Sequence, residues 1–149
     1  MKKLLFSLTL TFTLLSGCAV VAPLKQTSSG QAEATFAGKN VEEVKSLIMA
    51  RCSSRGLPIL DTGSNHVICG RQNTGVSGAF MQAMTTGVYG TTPMTNVRFN
   101  LFFINGETNV TTQIYMTSSN AFGQTQVIPL TNQSDINTIQ NGLFEMGGR

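Results

Sequence analysis

Three cysteines, one histidine and seven carboxylates are the side chains with which this 149-residue chain could do covalent, metal or acid–base chemistry. The carboxylates do not gather. Asp61, Glu107, Asp135 and Glu145 fall in predicted turns and helix ends, which suits capping and solubility better than a general acid–base pair. His66-Val67-Ile68-Cys69 invites a metal site shared with Cys52. Residues three apart on a strand point to opposite faces, however, so His66 and Cys69 should not converge on one ion. His66 is read instead as an exposed polar residue at a turn edge, and no metal ligand is assigned. The sequence holds no nucleophile elbow, Gly-rich phosphate loop or metal-binding helix motif. The chain is therefore expected not to be an enzyme, with no catalytic residue and no cofactor.

The remaining thiol, Cys18, has a context of its own. Lys2 and Lys3 precede an apolar run from Leu4 to Leu15, too short to span a bilayer as a permanent helix and right for an export signal. The run ends in Leu15-Ser16-Gly17-Cys18, which resembles the lipobox of bacterial lipoproteins. The resemblance implies that Leu15, Ser16 and Gly17 are read by the processing machinery. It also implies diacylation of the Cys18 thiol, cleavage before it, and acylation of the new amine, a palmitate among the chains. Several acyl chains hold a protein at a bilayer essentially permanently. Ala19, in place of the Asp that marks inner-membrane retention in Gram-negative lipoproteins, implies an outer-membrane anchor with the domain facing the periplasm.

That signal changes the charge and redox arguments. The full chain carries ten basic and seven acidic residues, with a pI near 9.0. Removing residues 1–17 takes Lys2 and Lys3 and leaves a net charge of +1, with no Lys/Arg run. A near-neutral domain has little electrostatic reason to bind nucleic acid. Cys52 and Cys69 are left as an even pair in an exported domain, most simply a disulfide. Two buried free thiols are the alternative reading of the same residues.

The elements that must position these groups follow from periodicity. Residues 1–17 are the signal, 18–34 a flexible linker, and 35–149 one α+β domain large enough for a single core. A short strand at 35–37 precedes a helix from Val41 to about Arg55, capped by Asn40, with Val41, Val44, Leu47, Ile48 and Cys52 on one stripe. Strands follow at 57–61 and 66–71. Residues 95–104 and 107–118 form a hairpin about Asn105-Gly106, the strongest short turn signal in the chain. A strand at 124–130 leads to a last helix capped by Ser134 or Asp135, with Ile136, Ile139, Leu143 and Met146 buried. Between strands, residues 72–94 contain no charged side chain and are rich in Gly, Thr and Met. A connection of that length is a candidate interaction loop, with Phe80, Met81, Met84, Val88 and Tyr89 as its apolar contacts.

The predicted fold is thus an antiparallel sheet of about four to five strands packed against an N-terminal and a C-terminal helix. This order resembles a helix-grip arrangement and is similar to the domains of the lipid-anchored C subunit of the β-barrel assembly machinery. The likeness lies in element order and carries over no binding residues. Two functions are compatible with it. One is a non-catalytic accessory module that docks on a membrane-associated assembly through a protein partner. The other is a binder of a small apolar ligand, in a groove lined by Phe99, Leu101, Phe103, Ile114 and Leu143.

Overall fold

A computed structural model describes residues 21–75, 78–79, 82–83 and 90–149. Leu15, Ser16, Gly17 and Cys18 lie outside the described residues, as do Phe80, Met81, Met84, Val88 and Tyr89 of the expected interaction loop.

The fold is α+β: the described residues form a six-stranded antiparallel sheet with α-helices at Val41–Ser54 and Gln133–Glu145 packed on one face. The strands are β1 (Glu33–Ala37), β2 (Ile59–Thr62), β3 (His66–Gln72), β4 (Met94–Ile104), β5 (Glu107–Ser119) and β6 (Thr125–Pro129). The helices are α1 (Val41–Ser54) and α2 (Gln133–Glu145). Strand order is β1-β5-β4-β3-β2, with β6 also paired to β5. The sixth strand is accommodated because β5 is 13 residues long. β1 pairs with its residues 107–111 and β6 with its residues 115–119, end to end along one edge.

The β4–β5 hairpin follows directly from its turn. Asn105 and Gly106 take φ of 54° and 81°, the left-handed pair that matches strand twist. Val97, Phe99 and Leu101 then fall on the helix-facing side opposite Ile114, Thr112 and Val110. Phe103 continues the alternation but is 55% exposed, so it lies past the edge of the core and not in it.

α1 begins as its sequence demands. The Asn40 side chain accepts from the Glu43 N–H at 3.0 Å, and Glu43 accepts from the Asn40 N–H at 2.8 Å, a reciprocal capping box. Val44, Ile48 and Cys52 are buried, with Val41 and Leu47 packed partly against them. α2 starts earlier than Ser134 or Asp135: Asn132 is its N-cap, accepting from the Ser134 N–H at 3.0 Å. Asn132 outcompetes its neighbours because its own backbone stays extended while its side chain reaches the next free N–H. Ile136 and Leu143 are buried, and Ile139 and Met146 only partly so.

Three segments differ from their sequence reading. The 18–34 stretch contains Glu33 and Ala34 of β1. Ahead of β1, Asn137 on α2 holds the Ala22 carbonyl at 2.8 Å and the Leu24 N–H at 3.0 Å, and Ala32 is fully buried. The long loop is shorter at both ends, because Gln72 and Met94 pair in the sheet and Asn73 N–H donates to the Pro93 carbonyl at 2.8 Å. β2 starts at Ile59, two residues later than expected, and is exposed throughout.

Edge strand β1 is closed off on its outer side. The Thr35 N–H and C=O pair with the Arg149 backbone at 3.0 and 3.1 Å. One step along, Gln140 from α2 accepts from the Glu33 N–H and donates to its carbonyl, both at 2.9 Å. A glutamine amide therefore does the work of a neighbouring strand, and the edge offers few free groups for pairing with another chain.

Candidate functional site

α1 and α2 both cover the sheet but do not close over it. Between them, above β3 and β4, lies a cleft of about 390 Å³. Its floor is Val97 and Phe99 of β4. One wall is Ile139, Leu143 and Met146 of α2; the other is Leu57 with Cys52 and Cys69. Gly142 and Thr138 line the α2 side of the mouth, and Arg51, Arg55 and Arg71 line the opposite rim.

Each rim arginine arrives by simple geometry. Arg51 and Arg55 are four apart on α1, one turn, and so share a side. Arg71 continues the alternation of Val67 and Cys69 along β3, so it shares their helix-facing side. Arg51 is hydrogen-bonded to Glu145 of α2, which ties the two helices together across the cleft. Arg55 lies 3.8 Å from the same carboxylate, and Arg71 is exposed with no ion-pair partner among the described residues. At Gly142 the space between the helices is open: an added Cβ would meet only Arg51 Nε, at 3.8 Å.

The Cys52 and Cys69 sulfurs lie at bonding distance, with Cα atoms 6.3 Å apart, and the bridge joins α1 to β3 in the cleft wall. Of the five residues expected to line a groove, the cleft brings together Phe99 and Leu143. Leu101 and Ile114 are sealed in the core, and Phe103 is exposed at the hairpin end. The rim arginines and Gly142 were not among the expected lining residues. The four-residue spacing of Arg51 and Arg55 and the strand alternation ending in Arg71 are the signals that carry them.

His66 differs from its sequence reading. It is half-buried rather than exposed, because its ring packs over Gly63, where a Cβ would lie 2.3 Å from the imidazole. Its Nε2 sits 2.9 Å from Asp61 Oδ2. That hydrogen bond holds the Asp61 carboxyl below the usual carboxylate range, with smaller help from the nearby positive charge of Arg98. Cys69 points to the opposite face, toward α1, as the spacing requires. Among the described residues no three of His, Cys, Asp and Glu gather closely enough to hold a metal ion. The other acids are each engaged in packing the fold: Glu107 with Arg149, Glu145 with Arg51, and Asp135 in the first turn of α2.

Comparison with protein-family models, with curated proteins and with solved structures finds no match for this chain.

Proposed function

We propose that this chain is a lipid-anchored accessory protein of the bacterial envelope that acts by binding rather than catalysis, with the cleft between α1, α2 and the sheet as its binding site. The observation that supports this is the open cleft. Each Å² of apolar surface left in contact with water forgoes about 25 cal/mol of stabilisation. Helices that could close fully over the sheet leave Leu57, Ile139 and Met146 partly exposed along the cleft instead, the pattern of a binding groove. Leu15-Ser16-Gly17-Cys18 supports acylation at Cys18, an outer-membrane anchor and a periplasmic domain. The likeness to helix-grip domains, a C-terminal helix across an antiparallel sheet, supports a role beside a membrane-associated assembly. The reading as a small-ligand binder is favoured by one observation of its own: Phe99 and Leu143 line a cavity within the size range of ligand pockets.

A photo-cross-linking residue at Thr138, on the cleft mouth, tests the site in intact envelopes. A discrete adduct is expected, lost when Gly142→Leu fills the cleft and retained in Gly142→Ala, the control for folding. An adduct that survives Gly142→Leu, or none from Thr138, would place binding elsewhere and refute the cleft.

A further inference from the structure

Three guanidinium groups edge a hollow that is otherwise mostly apolar, and Glu145 is the one carboxylate the described residues pair with them. Glu145 is already shared between Arg51 and Arg55, and Arg71 is left without an ion-pair partner among the described residues. From this imbalance we infer that the cleft takes a single-chain amphiphile with an anionic head, a carboxylate or phosphate. The chain lies along Leu57, Ile139 and Met146, and the head meets Arg55 and Arg71. This rests on the cleft being the binding site.

The charge balance carries the choice of ligand. Three like charges around one opening repel, and one anion at the rim relieves them. Arg55 and Arg71 are exposed, so a head between them stays partly hydrated and avoids the penalty of burying a charge. Below them the surface offers mainly contacts to carbon. The volume, about 390 Å³, falls near the lower end of ligand pockets, which suits one acyl chain better than two. Each methylene that enters should tighten binding about fourfold until the cleft is full.

The test uses the full chain in phosphatidylcholine nanodiscs, doped either with palmitate bearing a terminal diazirine or with lysophosphatidylglycerol bearing the same single chain. After illumination, adducts are expected in the peptides containing Leu57 and Ile139–Met146. The arm that labels identifies the source as free fatty acid or lysophospholipid. Arg55→Gln with Arg71→Gln should lower labelling about tenfold, and either alone about threefold, as partly exposed ion pairs do. Gly142→Leu should abolish it, and the corresponding diazirine alcohol should label at least about tenfold less than the acid. Equal labelling by acid and alcohol, or no cleft adduct in either arm, overturns the inference. If the Thr138 cross-link to an envelope protein is still blocked by Gly142→Leu, only the ligand class falls; if that cross-link fails as well, the cleft itself is refuted.

Discussion

Gln140 is a polar residue on the buried side of α2, 2% exposed, and its whole amide is spent on the backbone of Glu33. Replacing it by leucine keeps the volume and the helix propensity and removes both hydrogen bonds. A neutral hydrogen bond contributes about 1 kcal/mol net, and a donor left unsatisfied in a part-buried site costs a further 1–3 kcal/mol. The two Glu33 groups differ in what remains to them. Lys25 Nζ stands 3.2 Å from the Glu33 carbonyl and can keep it satisfied, whereas the N–H has no second acceptor among the described residues. Greater apolar burial of leucine offsets part of the loss. Gln140→Leu should therefore destabilise the fold by about 2 kcal/mol, and Gln140→Ala, which also opens a cavity, by about 3–4 kcal/mol. Urea unfolding followed by circular dichroism reads the difference, with an unchanged m-value as the sign that the fold is intact. Hydrogen exchange gives the local readout: the Glu33 amide should lose protection more than its neighbours. A Gln140→Leu midpoint within about 0.5 kcal/mol of the parent, with Glu33 exchange unaltered, would refute the idea that this amide closes the strand edge.

Gly142→Ala should stabilise the protein by about 0.5–1 kcal/mol in the same unfolding assay, since the position is helical and a methyl there meets only Arg51 Nε at 3.8 Å; a loss of stability would show that the helices need closer approach. Opening the Cys52–Cys69 bridge, 17 residues apart in sequence, should cost about 3 kcal/mol on the chain-entropy view. Alkylation of unreduced protein unfolded in denaturant should modify neither thiol, and labelling of both would disprove the bridge. Asn40→Ala should cost about 1 kcal/mol by thermal or urea melting, since it removes the side-chain arm of the capping box on α1 and leaves only the backbone N–H to Glu43 arm. At Asp61 the folded carboxyl titrates below its unfolded value, so its contribution is complete above the unfolded pKa and is lost as pH falls through the folded one. His66→Ala should move the Asp61 midpoint up toward the ordinary range in a carboxylate NMR titration, and an unmoved midpoint would clear His66 as the cause.

Local signals made the elements legible. Asn105-Gly106 sets both the turn and the register, and Asn40 with Glu43 starts α1 where the polar-to-apolar change occurs. Strand alternation placed Val97, Phe99 and Leu101 inward, but it could not say how far the helices extend over the sheet, so Phe103 keeps the pattern and loses the burial. Gln140 shows the converse. Its polarity argues for a surface position, and only the return of β1 beneath α2, 107 residues away in sequence, supplies the partner that makes its burial favourable. The 18–34 stretch reads as linker from composition for the same reason: Ala32 gains its burial, and Ala22 and Leu24 their hydrogen bonds, from residues more than 70 positions away. The cleft lies between two helices joined by the Arg51–Glu145 pair, residues 94 apart in sequence that no single periodicity brings together.

Under the proposed anchor at Cys18, the grip of Asn137 on Ala22 and Leu24 would set the working height of the domain. Sixteen unattached residues would give a root-mean-square reach of about 20–24 Å above a bilayer. With Cys18 acylated and Ala22 clasped, four peptide steps remain, at most about 14 Å when fully drawn out. The α2 flank that carries the clasp then rides at headgroup level, with exposed Val21 and Leu24 beside it. Such a domain samples a thin sheet of space instead of a hemisphere. With that anchor its encounters would be two-dimensional, limited to molecules that share its leaflet or stand directly on it.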